Sequence, residues 1–293
     1  MDLKFTKMQG AGNDFIFMTD AAGTAAAGEA GLNRLARELC SRHYGIGADG
    51  LILLKPEQPA GGVIGMRIIN SDGSEAAMCG NAVRCAAVYL REKGDVPSGP
   101  VRLSTPGGLK EAEITAGPGG RPAVRVDMGP VCWSPGEIPV SLSGREFPPG
   151  GEEKILDREI EVHGRIFRVT CLSMGNPHCV VFTDDLSDRF IREWGPRFET
   201  HPLFPDRINT EFVRVLSPGE VRVRVWERGC GETLACGTGA AAVCAAGSET
   251  RRTGRRILCR MAGGDLLLER TSGGRILKTG PAEIVYEGVW RSR

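Results

Sequence analysis

The chain lacks an excess of charge of either sign: 37 Lys and Arg stand against 36 Asp and Glu, a formal +1 over 293 residues. Nothing in that balance favours a polyanion, so no nucleic-acid partner is expected. The one basic cluster, RRTGRR at Arg251 to Arg256, reads as a solvated turn. No apolar run reaches the roughly 18 residues of a membrane span, so no membrane partner is expected either. The opening MDLKFTKM alternates like a strand and has no apolar signal core. A soluble cytoplasmic protein is the expectation.

Cysteine is plentiful, at ten, but lacks the spacings that would give it a structural task. There is no CxxC and no paired Cys/His cluster of zinc-finger type. Cys171, His178 and Cys179 come nearest, but adjacent strand residues point to opposite faces and cannot share a metal. No metal site is expected. Without an export signal or a dense cysteine region, reduced thiols are expected rather than disulfides.

What is present is glycine and proline, 41 and 18, punctuating many short β-like runs. At roughly 150 residues per domain, the length suggests two domains. Three helices stand out: Leu32–Arg42, with apolar residues at Leu32, Leu35, Ala36 and Leu39, and the segments after Cys79 and after Cys236. Many strands around few helices predict an α+β fold. The domain boundary is placed near Gly129–Pro135, giving halves 1–130 and 131–277, with 278–293 returning to the first. The segment Gly144–Glu153 is read as an excursion.

An internal repeat organises the rest. RIINSDGSEAAMCGNAVRCAAVYL from Arg67 parallels RVWERGCGETLACGTGAAAVCAAG from Arg224. Asn70 precedes Cys79 by nine residues (79 − 70), as Glu227 precedes Cys236 (236 − 227). Glu75 aligns with Glu232 and Gly80 with Gly237. A weaker echo sets GAGNDFIF against SMGNPHCVVF, with Asn13 opposite Asn176.

Each half therefore puts Cys-Gly at the start of a helix. Such a tip carries unpaired amides and a partial positive charge, which hold an anion and lower a thiol's pKa. The glycine lets a carboxylate approach the backbone. Two tips facing one carbon could remove a proton on one side and return one on the other, while their amides stabilise the carbanion-like transition state. No cofactor is called for by any motif. The plain reading of a lone cysteine, a small core residue, is kept for Cys40, Cys85, Cys132, Cys171, Cys244 and Cys259. Cys179 and Cys230 lie near the motifs without matching places.

On GAGNDF, GxGADG at Gly45–Gly50, NSDGSEAAMCGNAVRC, GNPH at Gly175–His178, NTEF at Asn209–Phe212, WERGCGET and ACGTGA, essentially the whole chain resembles the diaminopimelate epimerases. The resemblance implies two pseudo-symmetric domains, each a mixed sheet curled around a central helix, with the active site in the cleft between them. It implies cofactor-independent inversion of LL-2,6-diaminopimelate to the meso form, in lysine and peptidoglycan precursor synthesis, by Cys79 and Cys236 as base and acid. The backbone at Gly80, Asn81, Gly237 and Thr238 would hold the reacting carboxylate, with Asn13 near the reacting end. Arg228, with Asn70, Asn176 and Asn209, would take the distal carboxylate, and Glu227 the distal ammonium. His178, Glu75 and Glu232 would support the site, the two glutamates by hydrogen-bonding the cysteine loops. A homodimer is common in the family. Many members carry glutamine at the place of Gly50, so that side-chain contact is lost here. The competing expectations are another cofactor-free racemase, of proline or a basic amino acid, and a binding protein, for which two cysteines would have no use.

Overall fold

The structure is a computed structural model and describes residues 2–19, 28–58, 62–96, 98–117, 122–141 and 153–291. Most of the Gly144–Glu153 segment lies outside the described residues. The chain divides into two compact units, Met1–Asp127 with Thr279–Arg293, and Met128–Lys278.

In the first unit the strands are β1 (Asp2–Gly10), β2 (Asn13–Thr19), β3 (Gly50–Gln58), β4 (Val63–Asn70), β5 (Glu75–Ala76), β6 (Val101–Thr105), β7 (Gly108–Ala116) and β8 (Pro122–Pro130). Helix α1 (Gly28–Cys40) links β2 to β3, and α2 (Gly80–Glu92) links β5 to β6. The second unit holds β9 (Ile155–Val162), β10 (Arg165–Ser173), β11 (Pro177–Phe182), α3 (Asp188–Glu199), β12 (Asn209–Ser217), β13 (Glu220–Glu227), β14 (Gly231–Thr233), α4 (Gly237–Glu249), β15 (Arg256–Met261) and β16 (Gly264–Arg270). Strand β17 (Arg275–Pro281) precedes β18 (Glu283–Arg291), which returns to pair antiparallel with β1.

Pairing makes the sequence repeat physical. β1–β2, β3–β4, β4–β5 and β6–β7 are antiparallel, whereas β2–β3 and β4–β6 are parallel. The second unit repeats this step by step: β10–β11, β12–β13, β13–β14 and β15–β16 antiparallel, β11–β12 and β13–β15 parallel. The parallel joints are where a helix must cross over, and all four helices stand at them. The sheets are therefore mixed and the class is α+β.

Two kinds of helix result. α2 is buried from Gly80 through Leu90 and α4 from Gly239 through Gly247, the all-round burial of a central helix. α2 touches β18, β1 and β2 and also β7, strands from both ends of its sheet, so that sheet curls around it. α4 meets β10, β11 and β12 and also β15 and β16. α1 and α3 are one-faced. α1 buries Leu32, Ala36, Leu39 and Cys40, while α3 packs Phe190, Trp194 and Phe198 against Phe167 and Phe212.

Helix α3 was not among the helices read from the sequence, because Gly195 and Pro196 break its pattern. Its start is capped by Ser187, which accepts from the Phe190 N–H at 3.2 Å. Pro196 lies inside the helix and supplies no N–H to it, and Gly195 makes room for Trp226. A Cβ at Gly195 would lie 2.4 Å from the indole. The α1 helix begins at Gly28, four residues before the expected Leu32. The cysteines expected in the core are buried except Cys132, which is half-exposed and 2.7 Å from Glu137 Oε2. Cys179 is also buried, facing Cys171 across the β10–β11 hairpin, and Cys230 is exposed.

Ala is normally preferred to Gly inside a helix by about 1 kcal/mol, yet Gly195→Ala should destabilise by about 1–3 kcal/mol because the clash with Trp226 wins. Urea denaturation checks this, and a midpoint at or above the native value would contradict it. Burial also pushes the thiols of Cys40, Cys85 and Cys244 from 9.0 up to about 12. The unfolded chain ionises them first, so stability is full below about pH 9 and falls above it, by up to about 1.4 kcal/mol per pH unit for each thiol. Unfolding under reductant at pH 8 and pH 10 should show the loss; equal stability would contradict it.

Candidate active site

The two cysteines occupy the same local structure. Cys79 is the N-cap of α2 (φ −140°, ψ 113°) and Cys236 the N-cap of α4 (φ −119°, ψ 117°), both extended. The first intrahelical bonds run from Val83 N–H to Cys79 O and from Ala240 N–H to Cys236 O, each 2.9 Å. The amides of Gly80, Asn81, Gly237 and Thr238 therefore have no carbonyl one turn back. Each tip is an anion site beside a sulfur.

What precedes each cysteine is also repeated. Arg67 on β4 binds Glu75 on β5 through two bonds of 2.8 Å and reaches Glu29, at the start of α1, at 2.7 and 3.0 Å. Arg224 on β13 binds Glu232 on β14 at 2.7 and 2.9 Å and Asp188, at the start of α3, at 2.7 Å. Such bidentate pairs fix geometry. Both oxygens of Glu75 and of Glu232 accept from an arginine. They steady the cysteine loops through the short strands that carry them.

Beneath the tips the two units differ. In the first, Cys79 Sγ lies 3.7 Å from Asn13 Oδ1, which also accepts from Asn81 Nδ2 at 3.3 Å. Asn13 Nδ2 donates to Asp49 at 2.5 Å, so the amide must present its oxygen to the cysteine. Arg84 Nη1 donates to Asn81 Oδ1 at 2.8 Å and Nε to Pro281 O at 3.1 Å. The Arg84 guanidinium is fully buried and its Nη2 has no partner among the described residues. Asn70 donates to Ser74 Oγ at 2.9 Å. Gly50 pairs with Asn70, and a Cβ there would sit 3.0 Å from Ile69 O, leaving little room for any side chain.

In the second unit a fully buried pair takes this place: His178 Nδ1 donates to Glu211 Oε1 at 2.7 Å, with His178 Nε2 3.0 Å from the Asn176 amide. Glu211 lies against the first turn of α4, where a Cβ at Gly239 would meet its Oε1 at 2.6 Å. Cys236 Sγ accepts from Gly239 N–H and faces Thr238 Oγ1, each at 3.4 Å. Even so, its pKa is not lowered as a helix tip alone would predict. Burial raises it well above the ordinary value, the Glu227 and Glu211 carboxylates add to the rise, and the Thr238 and Gly239 bonds only partly offset it. Cys236 is a held thiol.

The turn after β13 carries the other expected residues. Asn209 accepts from Arg228 N–H at 3.0 Å and donates to Pro177 O at 2.7 Å. Thr233 Oγ1 donates to Glu227, and Arg228 Nη1 to Asp206 O at 3.3 Å. Among the described residues the Arg228 guanidinium pairs with no carboxylate, in contrast to Arg224. Sequence reasoning passed over Arg67, Arg84, Arg224, Asp49, Glu199 and Glu211. Arg67 and Arg224 opened both copies of the repeat, and Arg84 and Glu211 stood inside quoted motifs. Among the described residues no cluster of three or more His, Cys, Asp or Glu could hold a metal ion.

Comparison with known proteins adds the family. The model of the diaminopimelate epimerase family matches residues 5–134 and 170–285. A diaminopimelate epimerase of Pelotomaculum thermopropionicum is 45% identical over 291 residues, covering 99% of this chain and 100% of that protein. One of Desulforudis audaxviator is 49% identical over 289 residues, 98% of this chain and 99% of the relative. Among solved structures, a PhzF-family phenazine biosynthesis protein of Bacillus anthracis aligns over 100% of both chains with TM-score 0.69 at 15% identity. A hydroxyproline epimerase of Agrobacterium vitis covers 99% of this chain and 91% of its own, with TM-score 0.64 at 18% identity. These two show the fold alone.

Removing one of the carboxylates that hold Cys236 as a thiol should make it more reactive. Glu227→Gln is expected to speed its alkylation by iodoacetamide severalfold at pH 8.5, followed by peptide mass spectrometry. An unchanged rate would contradict the electrostatic account.

Proposed function

The chain belongs to the diaminopimelate epimerase family, and from that premise we propose that it converts LL-2,6-diaminopimelate to the meso isomer by two-base proton transfer. One observation carries the reading: two repeat-equivalent helices each begin with a cysteine N-cap followed by two amides, Gly80 and Asn81 or Gly237 and Thr238, that have no carbonyl one turn back. Metabolically this is a step toward lysine and peptidoglycan precursors, and we place the enzyme in the cytoplasm.

The chemistry needs both tips at one α-carbon. The Cys79 thiolate takes the α-proton from one face, and the Cys236 thiol, kept protonated by burial and by Glu227 and Glu211, delivers a proton to the other. For the reverse reaction the thiol and thiolate exchange roles. The reacting carboxylate is held by the amides of Gly80, Asn81, Gly237 and Thr238, which meet the charge that develops on it as the α-proton leaves. Both proton steps are then supplied by thiols, with no cofactor in the scheme. Asn13 Oδ1, turned toward Cys79 by Asp49, is an acceptor for the substrate's α-ammonium.

The distal end of the substrate has one carboxylate and one ammonium. Arg228 suits the first, with Asn70, Asn176 and Asn209, and Glu227 suits the second. A substrate with one carboxylate would leave Arg228 without an anion, which favours diaminopimelate over proline-like amino acids. We also propose a homodimer. Its support is strand β18, an edge that exposes Val285, Tyr286 and Val289, the kind of apolar edge that proteins normally cover.

Purified protein should form meso-diaminopimelate from the LL isomer, and Cys79→Ala and Cys236→Ala should each lose about 10²–10⁴-fold or more in turnover. Near-native turnover by either variant would rule out the two-base reading. Sedimentation should give a dimer, and Tyr286→Asp a monomer; a native monomer would contradict the assembly.

A further inference from the structure

A buried carboxylate stands where a helix least favours one. Glu199 closes α3 and is 8% exposed, at the end whose dipole attracts cations. Burial raises its pKa, but three donors outweigh that and hold it below the ordinary value. Trp226 Nε1 donates to Oε2 at 2.8 Å, Gly229 N–H to Oε1 at 2.9 Å, and Arg207 Nη1 to Oε1 at 3.3 Å. The helix end makes the anion costly, so its position is set by what it holds.

What it holds is one short turn. Trp226 and Gly229 flank Glu227 and Arg228 on either side, and Arg207 lies two residues before Asn209, which accepts from the Arg228 N–H. Glu227 and Arg228 are thus bracketed by two bonds to one carboxylate. The first unit has the same arrangement with inverted charge: Arg37, in the last turn of α1, donates to Asp72 O at 2.6 Å in the equivalent turn after Asn70. In both units the outer helix grips the turn after the central antiparallel strand. A role confined to satisfying the indole would leave the Gly229 bond unexplained.

We propose that Glu199 is a positioning residue for substrate selection: through Trp226 and Gly229 it sets the turn that presents Glu227 and Arg228 to the distal end of the substrate. The inference rests on the function proposed above and adds the residue that fixes its selectivity. In Glu199→Gln one oxygen becomes an NH2 group facing N–H donors, so the turn is released without loss of side-chain volume.

The test compares LL-diaminopimelate with 2-aminoheptanoate, which has the same chain length and no distal charges. KM and kcat are measured for the first, and α-proton exchange in D2O by NMR for the second. Glu199→Gln should raise KM for diaminopimelate about tenfold or more, with kcat, aminoheptanoate exchange and alkylation of Cys79 close to native. Trp226→Phe removes one donor and should give a smaller rise in the same direction; if Glu199→Gln does not fold, this variant decides. Native preference between the two substrates in a folded variant would overturn the proposal. So would a parallel fall in both substrates and in alkylation, which marks a general structural role. A native enzyme inactive on diaminopimelate would instead overturn the function, and this inference with it.

Discussion

The unpaired amides at the first turn of α2 and of α4 are the constraint on which the rest depends. A helix start must satisfy its N–H groups with side chains, water or ligand. Cysteine is a poor cap, and Cys79 makes no side-chain capping bond. The deficit left there is what a substrate carboxylate can fill. Holding such a tip rigid needs a central helix that cannot shift, and the sequence provides it with small residues buried on every side, Ala240 through Ala246 in α4. The arginine clasps at Arg67 and Arg224 then steady the strand that leads into each cysteine.

Upon this shared frame the two units have taken opposite charges. The residue offset between the cysteines, 157 (236 − 79), places Ala241 where the first unit buries Arg84. The strand registers, Phe15 with Gly50 and His178 with Asn209, place Ile52 where the second unit buries Glu211. A cation therefore lies under one tip and a carboxylate under the other. Such inequality favours one distribution of the proton between the two sulfurs, the thiol lying on the side of the carboxylate.

Much of this was legible because the signals were local or repeated. The nine-residue spacing to each cysteine, the Cys-Gly pairs and the alanine-rich helices survive in the sequence because the same strand, turn and helix are built twice. What could not be read depends on long-range contacts. α3 was hidden by Gly195 and Pro196, whose meaning appears only when Trp226 packs on the glycine. With α3 unread, Glu199 had no helix end to be anomalous at. Glu211 stood in a quoted motif, yet its pairing with His178 follows from strand register, which periodicity does not fix. The raised pKa of Cys236 likewise reflects burial and neighbouring carboxylates, which outweigh the helix-tip effect that the sequence does show.

The central claim is that two different sulfurs serve the two faces of one carbon. The measurement that reaches it most directly is deuterium distribution at low conversion, with LL-diaminopimelate in D2O and NMR of both isomers. Two bases predict deuterium at the α-carbon of meso product from the first turnovers, since its proton comes from a solvent-exchanged thiol, while recovered LL substrate stays largely protiated. Equal early labelling of the two isomers, or protium carried through into product, would mean that one group serves both faces and would contradict the account.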